Sequence, residues 1–376
     1  MSLFDIPSMI ASGVVGQIIP FLFIVTLIVF FHELGHYLAG RWCGVRITTF
    51  SIGFGPEIFG IVDRHGTRWR FAAIPLGGYV KFLGDLNAAS QPDDKGIAGL
   101  SATERAFSFP AQALWKRAII VAAGPAASFL LAILIFAATI YSYGRVVILP
   151  RVDAVMSGSA AEEGGMKAGD IVLAIDGEKI ESFSDLQRVV ALSPGLPLAL
   201  EVERAGDIVQ LEVTPKLKAV ASPIGTQRVG QLGISVSRDP SSVEIKQEGL
   251  ISSVVWGCIE TWRVVDGTVR YIGGLFAGRT TADQLSGPVG IAKMSGEAAK
   301  IGFGALLMLA ALMSASIGFI NLLPVPMLDG GHLAFYLYEA IRRRPLNATA
   351  MEWSFRAGFA LVVALTLFTL YLDIVR

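Results

Sequence analysis

Apolar residues are bunched along this chain rather than spread through it. Four stretches, roughly 15–38, 118–142, 303–323 and 355–372, read as membrane spans, which need about 20 mostly apolar residues each. Only the last is plain. The first is interrupted by "FHELGHYLAG" at residues 31–40, the second by Gly124-Pro125, and the third runs into "NLLPVPMLDGG". Irregular backbone at membrane depth survives only when buried in protein or facing a wet cavity. Three interrupted spans therefore predict a site built inside a helical bundle.

Between the spans the period changes. Within residues 45–85, "ITTFSIGFGPEIFGI" and "TRWRFAAIPLGGYVKFLGD" alternate apolar and polar positions with glycines at the bends, which predicts short strands and hairpins beside the membrane. The exposed edge of such a hairpin can pair with an extended peptide; the alternative is a packed plug that seals the bundle. Residues 86–99 are polar and predict a mobile stretch, and 100–117 read as a surface linker with an amphipathic patch. Residues 147–216 predict a small α/β module: strand, turn, short helix, strand, a hairpin at Asp176-Gly177, a helix from Ser184, and a strand pair across Ala205-Gly206. Residues 248–280 set Val255, Ile259, Trp262 and Val265 on one helical face among polar residues, which predicts an amphipathic helix on the membrane surface.

Composition agrees with this layout. Of 376 residues 53% are hydrophobic and 16% charged, against about 25% charged in an average soluble domain. The mean hydropathy is +0.59. The deficit of charge is local, so the chain reads as an integral membrane protein carrying at least one water-soluble domain. A net charge of zero lacks the basic face a nucleic-acid partner would need. Cys43 and Cys258 stand far apart and outside any CxxC pair, so no disulfide framework is expected. The first ten residues lack the basic region of a cleavable signal, and the first span is expected to be retained.

Positive charge sets the expected topology. Arg41, Arg46, Arg64, Arg68, Arg70, Lys81, Lys116 and Arg117 follow the first span, and Arg342, Arg343, Arg344 and Arg356 link the last two. Positive loops stay in the cytoplasm. Both termini and the segment 145–300 are then outside, with the 31–40 motif near the cytoplasmic end of its span.

His32 and His36 are four residues apart, so on a helix they share a face. Two imidazoles so spaced can chelate one zinc ion, and Glu33 beside them can act as general base. In a span, two histidines and a carboxylate are costly unless they are functional. Catalytic zinc takes three protein ligands and a water. His65 sits in the charged turn "VDRHGT", where a solvated role is expected. The third ligand should come from the break after the third span, which offers Asp329 and His332; Pro324 and Pro326 interrupt the helix there, and Gly330-Gly331 loosen the backbone. Asn321, at the lip of that break, can hydrogen-bond a substrate backbone or satisfy carbonyls freed by the prolines.

These motifs together resemble the bacterial site-2 protease family of intramembrane zinc metalloproteases over nearly the whole chain. The likeness rests on HExxH in the first span, "GPAASF" in the second, "NLLPVPMLDGGH" at the third, and an α/β module between spans. That module resembles a circularly permuted PDZ domain, most specifically through "SAAEEGGMKAGDIVLAIDGEKI". The family pattern pairs HExxH with a distal L-D-G, here Leu328-Asp329-Gly330. It implies His32, His36 and Asp329 as Zn2+ ligands, Glu33 as the base and His332 as a neighbour. Ser128 departs from the pattern, where asparagine is common, and some relatives carry two PDZ modules.

The implied fold is a polytopic α-helical membrane protein of about four spans with a membrane-associated β-hairpin region and one PDZ domain. Its expected domains are 1–146 with the first two spans, 147–218 as the PDZ domain, 219–300 as linker and surface helix, and 301–376 with the last two spans. The implied reaction is cleavage of single-span membrane proteins, of the anti-sigma-factor type, in the bacterial inner membrane after a first cut by another protease. The extended substrate would lie on the hairpins at Gly77, Gly78 and Tyr79, with Asn321 beside it. A monomer in contact with membrane lipid is expected, with the PDZ domain periplasmic and the active site toward the cytoplasm. Rival readings are a silent zinc-binding PDZ scaffold, a transporter built from broken spans, and clearance of signal-peptide remnants.

Overall fold

A computed structural model describes residues 13, 15–85, 99–222, 225–236, 243–276 and 286–375. The polar stretch 86–98 lies outside the described residues. Among the described residues, four helices are long and apolar enough to cross a membrane: α1 Gly16–Trp42, α3 Leu114–Tyr143, α8 Phe303–Asn321 and α10 Ala348–Val375. A short helix α2, Ala102–Ala106, precedes α3 and is closed by a capping box between Ser101 and Glu104.

Two of the expected interruptions are not breaks. α1 runs unbroken through residues 31–40, and α3 runs unbroken through Gly124-Pro125. Proline is tolerated within a membrane helix because neighbouring groups satisfy the freed carbonyl. The glycines serve close approach instead. A side chain at Gly35 would strike the Ala123 carbonyl and, at 2.7 Å, the Ala127 Cβ, so α1 and α3 cross at small residues as membrane helices do. Only the third interruption is real: α8 ends at Asn321, and the chain turns irregularly until α9, Asp329–Arg342, begins.

The described residues fall into two compact units. The first contains the spans. Its interior is built where α1 (Ile24, Ile28), α3 (Leu131, Ala132, Ile135, Phe136) and α8 (Leu306, Ala310, Ala311, Ala315) meet. Helix α7, Pro288–Ile301, joins this unit, and its first turn is held by α10: the N–H groups of Gly287 and Gly290 donate to the Asp373 carboxylate at 3.0 and 2.8 Å. A carboxylate at a helix N-terminus satisfies orphan donors and the helix dipole together.

Residues 45–85 form two long strands, β1 Ile47–Val62 and β2 Arg68–Phe82, rather than several short hairpins. Both are bent. Ile47–Ile52 pair with Gly78–Phe82, while on the other edge Thr49 lies opposite Arg68 and Ile52 opposite Phe71; Glu57–Val62 pair in turn with Arg68–Ala72. The result is a small sheet of four segments with Gly78–Phe82 along one edge. Its base is buried: Ile47, Phe50, Val80 and Phe82 pack with Tyr37 of α1, Ile120 and Val121 of α3, and Tyr336 of α9. Asp63 fastens the turn, accepting from Tyr37 Oη and Trp69 Nε1, both at 3.0 Å, and from the N–H groups of His65 and Thr67. Burial would raise this carboxyl, but those four donors outweigh it and hold it down to about 2. His65 is exposed in that turn, as its charged surroundings suggested.

The second unit spans Ile140–Ser253 and, among the described residues, 269–276. Its core sheet, in the order β6-β5-β7-β8, comprises β5 Ile171–Ile175, β6 Glu178–Lys179, β7 Leu198–Arg204 and β8 Asp207–Val213. Helices α4, Ala160–Glu163, and α5, Phe183–Leu192, cover it. Val172, Ile175, Leu186, Leu200 and Val202 are its fully buried centre. Asp170, fully buried, is clamped by Arg204 through two 2.8 Å bonds.

Strands continue past residue 218: β9 Lys216–Ser222 pairs with β10 Gly225–Gln231, and β11 Ile234–Val236 pairs with β4 Val152–Val155. A separate ribbon joins β3 Arg145–Ile148 to β12 Val243–Lys246. Helix α6, Leu250–Phe276, follows. Its buried positions are Ser253, Gly257, Thr261 and Gly274, whereas Val255 and Trp262 are exposed. The large apolar residues expected to face the membrane are thus apart from the face it packs. At Gly257 a side chain would lie 2.7 Å from the Ile133 carbonyl of α3.

Candidate metal centre

His32 and His36 project from one face of α1, and the structure brings Asp329 to them from the head of α9. Their donor atoms form the group of metal-ligating type found among the described residues. His32 Nε2 lies 3.2 Å from His36 Nε2 and 3.2 Å from Asp329 Oδ2, and His36 Nε2 lies 3.5 Å from Asp329 Oδ1. Zinc about 2.05 Å from each of three tetrahedral donors would hold them about 3.3 Å apart. The observed spacings bracket that value.

Both imidazoles are held from behind by α3. His36 Nδ1 donates to the Ile120 carbonyl at 2.9 Å. A carbonyl only accepts, so the proton is on Nδ1 and Nε2 presents its lone pair. His32 Nδ1 lies 3.0 Å from the Ser128 hydroxyl. Ser128 is fully buried, and Ser314 of α8 donates to its carbonyl at 2.8 Å. Such outer partners fix ring orientation and tautomer in metal sites. Two ring nitrogens 3.2 Å apart, with a carboxylate closing the triangle, form an arrangement that a cation satisfies. Asp329 Oδ2 is likewise buried and makes no hydrogen bond.

Gly124 gives the imidazoles their room. A side chain there would overlap His36 Nε2 and Cε1 and come within 2.9 Å of His32 Nε2. At the third span, Leu328 caps α9 and Asp329 is its first residue. Gly330 and Gly331 do not loosen the backbone as expected; they are buried in α9, where side chains would strike the carbonyls of Leu322, Leu323 and Val325. The irregular loop can therefore fold tightly against the head of the helix that presents Asp329. Farther along, Arg117 of α3 donates to Glu339 of α9 at 2.7 Å and lies over the Tyr336 ring, tying the two ligand-supporting helices together.

Glu33 stands outside the donor group, within electrostatic reach of His32, His36 and Asp329, and the backbone of Val80 hydrogen-bonds it. A Cβ on Gly78 would lie 3.1 Å from Glu33 Cγ and 2.6 Å from Val29 Cγ1. The Gly78–Phe82 edge of the sheet therefore runs directly past Glu33. Of the other expected substrate residues, Gly77 packs beneath Phe54, whose ring stacks on Tyr79 at 6.1 Å. Asn321 is half-buried at the end of α8; no hydrogen bond joins its side chain to the three donors among the described residues.

His332 is not part of the cluster. It lies one turn into α9 among Phe335, Tyr336 and Phe355, its ring 5.5 Å from that of Phe355. Of Asp329 and His332, both open on residue type alone, the structure brings Asp329 to the two histidines. The roles of Gly124, Ser128 and the Ile120 carbonyl were not legible beforehand; Gly124-Pro125 and Ser128 drew notice only as a break and a departure from pattern.

Residues 20–365 match peptidase family M50. A Rhizobium meliloti protein named, by inference, a zinc metalloprotease is 49% identical over 94% of this chain and 95% of the relative. One so named in Agrobacterium fabrum is 48% identical over 97% of this chain and 98% of its own. The metalloprotease MmpA of Caulobacter vibrioides is 40% identical over 97% and 96%. Zinc is the metal these enzymes use, and the three donors fit it. With four membrane-length helices and this donor set, the chain belongs to peptidase family M50, the site-2 protease family of multi-pass membrane metalloproteases.

Proposed function

We propose that this protein cleaves single-span membrane proteins within or near their transmembrane segment, with His32, His36 and Asp329 as zinc ligands and Glu33 as general base. The observation that carries the reading is the placement of His32, His36 and Glu33 on a membrane-length helix, with Asp329 brought to the two histidines and the edge strand Gly78–Phe82 alongside. Zinc, when bound, is a Lewis acid that polarises the scissile carbonyl and acidifies water. Glu33 accepts the proton of the attacking water and returns it to the leaving nitrogen. A helical substrate has its carbonyls tied up, so it must be drawn out into an extended strand.

The Gly78–Phe82 edge supports that step, since an added strand would gain backbone hydrogen bonds there and run past Glu33. Gly78→Ala would press a methyl against Val29, the Ser51 carbonyl and Glu33. It should retain zinc yet lower kcat/KM about a hundredfold, the scale of a 1 Å misplacement of reacting groups. Unchanged kcat/KM would remove the edge from the substrate path.

The second unit is read as a PDZ domain. Its support is a groove between α5 (Phe183, Leu186, Val190) and the Gly230–Ile234 segment, the helix-and-strand arrangement that grips peptide ends. The domain restricts access, so substrates are cut after a first protease has trimmed them, as in anti-sigma-factor release; a short single-span substrate should be cleaved and one with a folded outer domain refused. Equal cleavage of both would end the restriction reading. The orientation follows from the arginine-rich loops: a reporter after Gly206 should report the periplasm and one after Arg344 the cytoplasm, and the reverse would invert the site. All three ligands come from one chain, which supports a monomeric enzyme.

A further inference from the structure

The β3–β12 ribbon presents an apolar face that no other element covers among the described residues. Val146 lies opposite Ile245, and Ile148 opposite Val243. Side chains alternate across a strand, so these four share one face, and they are 66%, 60%, 41% and 36% exposed respectively. The other face is buried or polar: Val147 is 4% exposed, and Arg145 bonds Glu248, which also accepts from Ser252. A four-residue aliphatic face on a two-stranded ribbon is costly in water, at about 25 cal/mol per Å2.

Its place along the chain indicates what covers it. Helix α3 carries exposed Trp115 beside Lys116 and Arg117 at one end and exposed Tyr141 and Tyr143 at the other. The 26 steps from Trp115 to Tyr141 rise about 39 Å, close to the roughly 40–45 Å of a bilayer counted with its headgroup regions. Aromatic residues mark both interfaces of a span, so α3 leaves the bilayer at Tyr141–Tyr143. Gly144 alone separates Tyr143 from β3. It turns with φ +81°, and a Cβ there would lie 2.6 Å from Ile245. β12 is followed after three residues by α6, whose opening Leu250 and Ile251 are 67% and 82% exposed. The ribbon is thus pinned at both ends, within a few residues of an exit from the membrane.

We propose that this ribbon is an interfacial foot: Val146, Ile148, Val243 and Ile245 lie in the lipid headgroup and upper acyl region of the leaflet at the Tyr143 end of α3. Apolar faces flanked by interfacial aromatics partition there. This inference rests on α3 being a span.

The test uses the full-length protein in lipid nanodiscs. Cys258, which is exposed, is replaced by serine, and buried Cys43 is left in place. A nitrobenzoxadiazole probe is attached to single cysteines at Val146, Ile245, Glu244 or Leu134. At Val146 and Ile245, lipids brominated high on the acyl chain should remove most of the fluorescence, while aqueous iodide should remove little. Glu244, on the opposite face, should show the reverse, and mid-span Leu134 should be quenched only by lipid. Quenching of Val146 and Ile245 by iodide and not by bromolipid would overturn the proposal. So would shielding from both, which would mean that protein, such as a second copy of the chain, covers the face. Loss of lipid quenching at Leu134 would defeat the span itself and the foot with it.

Discussion

Glu33→Gln is expected to bind zinc as tightly as the unaltered protein and to lose proteolysis by about 10²–10⁴-fold, the range that a positioned acid–base group supplies. Glu33 stands outside the donor triangle and beside the Val80 backbone. The amide keeps the size of the side chain, its contact with Gly78 and its ability to bond Val80 through oxygen. What it removes is the capacity to take a proton from water and hand it to the departing amine. Metal analysis of the purified variant together with a cleavage assay separates the two roles. An empty site in Glu33→Gln would make this residue a ligand or a structural support, and undiminished cleavage would move the base elsewhere.

The second large effect is expected from the smallest change. Gly124→Ala adds one methyl to α3, a substitution that ordinarily favours a helix. Here the methyl would occupy the space of His36 Nε2 and crowd His32 Nε2 at 2.9 Å. Packed interiors do not absorb such overlap without moving a side chain, and the side chains that must move are two of the three proposed ligands. Zinc binding should fall by more than about a hundredfold while the helices remain folded. Ser128→Ala provides the contrast. It removes the 3.0 Å contact to His32 Nδ1 without filling the site and should weaken zinc about tenfold, the lower range for loss of an outer partner. Zinc bound normally by Gly124→Ala would show that the imidazoles do not sit against α3 when the metal is in place.

The spans were legible because length and hydropathy report directly on them, and the ends of α1, α3 and α8 lie within a few residues of the apolar runs. The histidine pair was legible because four-residue spacing on a helix is local geometry. What supports the pair was not. Ile120 and Ser128 stand 84 and 96 residues from the histidines they hold, and nothing local distinguishes a backbone carbonyl or one serine in an apolar run. Gly124-Pro125 read as a break because both residues weaken helices in water; in the bundle α3 continues, and the missing side chain is what the site requires.

Asp329 and His332 could not be separated by residue type, as both follow the same proline-rich turn. Three residues of helix advance about 4.5 Å along the axis; Asp329, at the first residue of α9, stands beside the two histidines, and His332, nearly a turn farther in, lies among aromatic rings. Helix α6 was legible as amphipathic but not in what it packs. Its large apolar residues read as a membrane-facing stripe, whereas close helix contacts in membranes select small residues. Ser253, Gly257, Thr261 and Gly274 are the buried ones.

The central claim is that zinc at His32, His36 and Asp329 cuts a peptide bond in a membrane-embedded substrate. Its most direct test is mass-spectrometric mapping of the cut in a single-span substrate, incubated in lipid with the purified protein as isolated, stripped by a chelator, and reloaded with one equivalent of zinc. The account predicts a cut within or at the edge of the substrate's span, its disappearance on stripping and its return on reloading. Cleavage that persists without metal, or that falls only in the substrate's water-exposed domain, would contradict it.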